Sequence, residues 1–224
     1  MNKICTVIIP VFNDFVRLEK AILSILNQKC NLKWDIIIID DASDKNDYNT
    51  FFEKFKNNSI IRFFRNKVNL GPAFARNIGL DNAIGDYISF LDSDDCWSEE
   101  RSFEFFSLIC SSEVDLVWGQ TKYFVDEGVN YSWYKNGDIV FKNLVGSIAY
   151  KFCKKLSKIR FDPSLRYGED NDFWLQLVDK NVKIKKTNSI VLNRYIHGEN
   201  MTFNKEFNSN KTTLELLKNR LKQK

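Results

Sequence analysis

At 224 residues, with 44% apolar and 28% charged side chains, the chain has room for one large α/β domain or two small ones and the makeup of a soluble globular protein. A net charge of +4 is too modest to imply nucleic-acid binding, and no apolar run approaches the roughly 18 residues of a membrane span. The five cysteines (Cys5, Cys30, Cys96, Cys110, Cys153) are odd in number and show no C-x-x-C spacing, which argues against disulfides or a zinc site and for reduced, buried thiols in a cytosolic protein. The first residues run directly into a strand pattern with no export leader, so a cytoplasmic location is expected.

Cys5 to Pro10 form a short continuous apolar run, the pattern of a strand buried on both faces. Asp14 can cap a following helix, whose inner face is Phe15, Leu18, Ile22 and Ile25 and which ends near Gln28. Trp34 to Asp40 reads as a second buried strand closing on the acids Asp40 and Asp41. Phe51, Phe52 and Phe55 give a second helix its inner face, and Ile60 to Phe64 make a third strand. Pro72 suits the first turn of a third helix and Gly85 its end. The stretch Asp86 to Asp95 then starts as an apolar strand and finishes with Asp92, Asp94 and Asp95.

This β-α-β-α-β-α-β order predicts a doubly wound, mostly parallel central sheet flanked by helices, as a single domain. Ligands on such sheets bind outside the carboxyl ends of the strands, and Asp40, Asp41, Asp92, Asp94 and Asp95 all fall on that edge. Bare carboxylates about 4 Å apart repel by roughly 4 kcal/mol at an effective dielectric of about 20. A hard divalent cation with oxygen ligands would relieve that repulsion. Acids at strand ends are also common in solvated turns, so these residues alone leave both readings open.

Farther on, Ser98 is expected to open a helix with Phe103, Phe106 and Cys110 as its buried stripe, and Val114 to Tyr123 is strand-like. Asp126 to Gly137 is polar and aromatic, a loop or hairpin over the site. Phe141 to Leu156 carries a helical pattern and leads into a basic cluster, Lys151, Lys154, Lys155, Lys158 and Arg160. After Gly168, Glu169 and Asp170 start an amphipathic helix, where the helix dipole favours ionised acids; ordinary capping would give the same pattern. Val182 to Lys186 and Ile190 to Ile196 look like two short strands, followed by the one histidine, His197. The tail from Lys211 is a short basic helix, either solvated or resting on an anionic surface.

The segments Val7 to Asn13, Ile39 to Ser43, Asn69 to Asn77, Phe90 to Asp95, Gly168 to Asp170 with Trp174, and Arg194 to Thr202 together resemble the family 2 glycosyltransferases, inverting enzymes of the GT-A fold. The resemblance implies a nucleotide-sugar-binding half over 1–97, an acceptor-binding half over 98–203 and a basic tail over 204–224. It implies transfer from a nucleotide-sugar donor, a UDP-sugar, to a glycan or lipid-linked acceptor with Mn²⁺ or Mg²⁺, of the kind used for bacterial surface polysaccharides. Residue by residue, Asp41 would accept from the nucleotide base beside Pro10 and Val11, and Arg76 would hold the nucleotide end. Asp92 and Ser93 would face the donor, and Asp94 would ligate the metal. Asp170 would be the general base, Glu169 its neighbour on the acceptor side, and His197 a residue reaching the metal. A peripheral contact with the inner membrane face through the basic tail is a further implication. A sugar-phosphate nucleotidyltransferase shares the layout but needs a Gly-rich loop after the first strand, where Pro10 to Asp14 contain no glycine. A non-catalytic relative that keeps the fold is the other alternative.

Overall fold

The computed structural model describes residues 3–102, 104–165 and 167–200. β1 (Ile4–Val11), β2 (Lys33–Asp40), β3 (Ile61–Arg65) and β4 (Tyr87–Phe90) alternate with α1 (Phe15–Leu26), α2 (Lys45–Phe55) and α3 (Pro72–Asp81). These strands pair in parallel in the spatial order β3-β2-β1-β4. The second half adds β5 (Cys96–Trp97), α4 (Glu104–Cys110), β6 (Leu116–Val125), β7 (Ile139–Val140), β8 (Ile148–Lys151), α5 (Glu169–Asp179) and β9 (Ile184–Ile196). One sheet runs β3-β2-β1-β4-β8-β6-β9-β5, with β7 on the side of β6. Six of its nine strands point the same way, and β5, β7 and β8 run against them.

Burial on both faces explains the continuous apolar runs. In β1, Cys5, Val7, Ile9 and Val11 face one core with Leu18, Ile22 and Ile25 of α1 and Phe105 and Phe106 of α4. Ile8 faces the other core, with Ala73 and Ala75 of α3, Phe90, Phe161, and Phe173 of α5. Asp14 caps α1 by accepting from the Arg17 N–H at 3.4 Å, as its position predicts.

Several elements depart from expectation. α3 stops at Asp81, short of Gly85; Gly85 instead lies against β1, where its N–H donates to Thr6 Oγ1 and a Cβ would meet the Thr6 nitrogen at 2.6 Å. Residues Glu99–Ser102 form a 3₁₀ turn before α4, whose buried face is Phe105, Phe106 and Ile109 while Cys110 is exposed. Phe103 lies outside the described residues. Phe141 to Leu156 is not a helix. A 3₁₀ turn at Val145–Ser147 leads into β8, which fills the slot between β4 and β6 and pairs antiparallel with both. Backbone groups on the inner edges of β4 and β6 need ladder partners once buried, and that demand outweighs a helical spacing of apolar residues. The two short strands expected over 182–196 are one strand, β9, whose pairing with β6 shifts register near Trp118 and Gln120.

In the basic cluster, Lys151 donates to Ser111 and Ser112 carbonyls, Lys155 to the Asn181 carbonyl, and Arg160 pairs with Asp81. The tail from Lys211 lies outside the described residues. Among the described residues no helix is long and apolar enough to cross a membrane.

Candidate active site

The carboxyl ends of β1, β2 and β4 open on one edge, and a cavity of about 760 Å³ sits there. Pro10, Val11, Asp41, Arg76, Asp92, Ser93, Asp94, Glu169, Asp170 and His197 all line it. Asp40 and Asp95, on the same edge, do not line it: Asp95 is buried, and Asp40 is fully buried, paired with Arg65 at 3.1 Å and accepting from the Ser43 N–H. The turn after β2 is strained, with Ala42 at φ 67°, a conformation that costs a non-glycine residue about 1 kcal/mol or more.

Asp41 is buried at the cavity wall and organises the chain around it. Its oxygens accept from the Leu70 N–H, the Gly71 N–H at 2.7 Å and Asn66 Nδ2 at 2.7 Å. Gly71, at φ 87°, supplies the turn that brings those N–H groups inward ahead of α3. Asp41 therefore shapes the loop 66–71, a role its strand-end position did not disclose.

Two arginines, Arg76 buried and Arg194 partly buried, bind the acids into a chain. Arg76 on α3 donates to Asp92 Oδ1 at 2.7 Å and Glu169 Oε1 at 3.2 Å, and stands 3.4 Å from Asp170 Oδ1. Arg194 on β9 lies 3.4 Å from Asp95 and 3.7 Å from Asp92. Burial opposes both charges, but the acids around them hold both guanidiniums charged. The contacts of Arg76 are thus with acids of the cavity that Asp41 also lines. Burial raises the Asp95 carboxyl well above the usual range against the pull of Arg194. Burial also works to raise Asp94, but the hydrogen bond with His197 and the charge of Arg194 outweigh it and hold it low.

Asp170 is the exception to the expected dipole effect. Its carboxyl is pushed up to about 7, first by burial and then by the charges of Glu169 and Asp92, with Arg76 pulling the other way. A helix N-terminus is worth about 0.3–1 kcal/mol to an exposed anion, too little to offset burial beside two acids. Oδ2 accepts from the Val145 N–H at 3.4 Å, while Oδ1 is buried and accepts no hydrogen bond. Glu169 accepts a hydrogen bond from Arg76 at 3.2 Å. Gly168, at φ 83°, provides the left-handed residue from which α5 starts.

Asp92, Asp94 and Asp95 each offer a carboxylate oxygen within 4.8 Å of the others, the one such cluster among the described residues. Asp95 is buried and engaged by Arg194 and the Tyr195 N–H, whereas Asp92 and Asp94 line the cavity. His197 Nε2 and Asn200 Nδ2 converge on Asp94 Oδ2 at 3.3 and 2.9 Å. Five carboxyls gathered around two guanidiniums leave an excess of negative charge, and oxygen ligands with one imidazole fit a hard divalent cation such as Mg²⁺ or Mn²⁺.

The sequence model of Glycosyl transferase family 2 matches residues 6–175, well over half of the chain. The chain belongs to that family. Among curated relatives, poly(ribitol-phosphate) β-N-acetylglucosaminyltransferase TarP of Staphylococcus aureus is 31% identical over 225 residues, covering 92% of this chain and 67% of TarP. An uncharacterized glycosyltransferase of Rickettsia felis is 32% identical over 188 residues, 79% of this chain and 30% of that protein. The crystal structure of S. aureus TarS 1–349 in complex with UDP-GlcNAc superposes with a TM-score of 0.71 at 21% identity, covering 97% of this chain and 64% of that one. The likeness is one of fold: the family 2 domain here is GT-A.

Sequence reading missed several groups that line the family 2 cavity. Arg194 and Asn200 lie within a recognised segment, but only the fold reveals that they touch the Asp92 to Asp95 acids. Arg17 on α1 pairs with Glu199 at 3.0 Å, and both line the cavity. The loop expected over the site brings Tyr131, Trp133 and Tyr134 to the cavity, while Lys142 carries no motif and reaches it only through the fold.

Proposed function

We propose that this chain is a glycosyltransferase moving a sugar from a nucleoside diphosphate donor, a UDP-sugar, to a hydroxyl of a glycan or lipid-linked acceptor, with inversion. The observation that carries this reading is Asp170: a near-neutral carboxyl with a buried oxygen that accepts no hydrogen bond, in the same cavity as an acid cluster fit for a cation. In one displacement the acceptor oxygen forms a bond to the anomeric carbon as the bond from that carbon to the diphosphate oxygen breaks. The hydroxyl proton passes to Asp170, and the electron pair leaves with the nucleoside diphosphate. A base with a pKa near the working pH serves this step better than a strongly acidic one.

Asp41, with Pro10 and Val11, would border the nucleotide base, and Asp92 and Ser93 would face the donor sugar. Arg76 holds Asp92, Glu169 and Asp170 in one arrangement and so serves as a positioning residue. A divalent cation held by Asp94 with His197 would supply positive charge against the charge growing on the leaving diphosphate. The names of the relatives support a hexosyl or N-acetylhexosaminyl transfer in surface polysaccharide synthesis: TarP is an N-acetylglucosaminyltransferase, and the TarS crystal held UDP-GlcNAc. Release of UDP from UDP-sugars with and without glycan acceptors tests the transfer, and the anomeric configuration of the product tests inversion. A product that retains the donor's configuration would contradict single displacement.

Peripheral membrane contact belongs to the same reading. Lys154 and Lys158 are exposed, and each basic residue at an anionic surface contributes about 1 kcal/mol. Flotation with anionic vesicles at low salt should carry the protein upward, and absence from the lipid fraction would remove this part.

A further inference from the structure

One wall of the cavity is not used by the chemistry above. The loop between β6 and β7 brings Tyr131, Trp133 and Tyr134 to the cavity. Tyr134 stacks on Tyr123 of β6 with centroids 4.2 Å apart, which fixes the loop on the sheet. Trp133 is 41% exposed although it lines a concavity. A large exposed aromatic face in a cleft is a surface for an apolar ligand face, such as the C–H face of a sugar ring.

Lys142 stands beside it, with its ammonium 5.9 Å from the Trp133 ring. The lysine is half-buried, and among the described residues no carboxylate pairs with it. Burial and then the neighbouring charge of Arg194 both press its pKa down. An anion beside a partly desolvated lysine would favour its charged form. A cation–π contact at this distance is worth about 0.5–1 kcal/mol at exposed sites, too little to hold a half-buried ammonium next to a second cation. Lys142 also belongs to the segment that bears on the proposed base, because the Val145 N–H donates to Asp170 Oδ2. Both groups line the same cavity, and three residues of backbone span at most about 11 Å, so the ammonium lies within a few sugar units of that carboxyl.

We propose that Tyr131, Trp133, Tyr134 and Lys142 form the acceptor subsite, and that it takes an acceptor bearing an anionic group, a phosphodiester or a carboxylate, within a few units of the hydroxyl that is glycosylated. This rests on the glycosyltransferase reading. The aromatic faces hold a sugar or polyol unit, and Lys142 reads the charge and sets the register of the chain at Asp170.

Calorimetry on the full chain with three probes of matched length tests it: a glycerol-phosphate oligomer, a hexuronic acid oligosaccharide and a neutral oligosaccharide. One anionic probe should bind about tenfold or more tightly than the neutral one, a difference of about 1.4 kcal/mol or more, and the arm that wins identifies phosphodiester or carboxylate. Lys142→Ala should erase that preference and its salt dependence, Lys142→Arg should keep most of it, and Trp133→Ala should weaken every probe. UDP affinity, measured in the same proteins, should be unchanged by Lys142→Ala. Equal binding of charged and neutral probes with UDP binding intact overturns the subsite and leaves the transferase reading standing. Equal loss of all three probes in Lys142→Ala also overturns the charge assignment. Failure of the wild type to bind UDP or release it from any UDP-sugar overturns both.

Discussion

Asp170 carries two predictions with opposite signs. Its folded-state pKa, about 7, lies above the ordinary value of about 3.9, so between those values the folded protein binds more protons than the unfolded one. Stability must then fall as pH rises through that window and level off above it. Asp170→Asn should therefore stabilise the metal-free protein, with a gain that is small near pH 4, grows to about 1–3 kcal/mol by pH 8 and is read as a rise in Tm. The same residue sets the acid limb of the rate: turnover of the wild type should fall below an apparent pKa near 7. A Tm difference independent of pH would mean that burial does not shift this carboxyl. Asp41 behaves differently because it serves the chain as well as a ligand. Asp41→Ala strips the acceptor from the Leu70 and Gly71 N–H groups, so UDP affinity should drop by about 1–3 kcal/mol and the Tm should fall with it. Calorimetry showing normal affinity would remove Asp41 from the pocket.

At the level of elements, the contacts that hold the site's floor lie far from it. Arg101, in the 3₁₀ turn before α4, is fully buried. It donates to the Gly146 and Ile148 carbonyls and to Ser89 Oγ, between the rings of Trp97 and Phe105 at 4.1 and 4.2 Å. It thereby locks β8 to β4 where no acid is present, and although burial presses its pKa down to about 9, it stays charged at neutral pH. Arg101→Leu should cost about 3 kcal/mol or more by stranding those carbonyls, seen in denaturant unfolding; a loss under 1 kcal/mol would contradict this role. None of this was legible from the residues around Arg101. β1 to β4 and α1 to α3 were, because two-sided burial and helical spacing are written within each segment. β8 was not, since its reason to be a strand lies in β4 and β6, some 30 to 60 positions earlier in the chain. The helical spacing of Phe141 to Leu156 is local information that a distant pairing overrides.

Across the whole molecule, what the sequence discloses is where the site is, and what it withholds is how its charges balance. Strand order alone places Pro10, Val11, Asp41, Asp92 and Asp94 on one edge. Asp40 shows the limit, since facing in or out of that edge depends on Arg65 and Ser43 across the turn. The balance is set by Arg76 from α3 and Arg194 from β9, two elements that meet only at the acids. That balance predicts that the acid cluster needs a cation to accept a diphosphate. Asp94→Ala, or excess chelator, should abolish UDP binding while far-UV circular dichroism stays unchanged. Full activity in chelator would contradict it.

The most direct test of the account is UDP release by Asp170→Asn at pH 7 with donor and acceptor saturating, beside Glu169→Gln and the wild type. Asp170 Oδ1 accepts no hydrogen bond whereas Glu169 accepts one from Arg76, so Asp170→Asn should lose about 10²–10⁴ in kcat, with UDP affinity unchanged. Normal turnover by Asp170→Asn, whatever Glu169→Gln does, would contradict the assignment of the base.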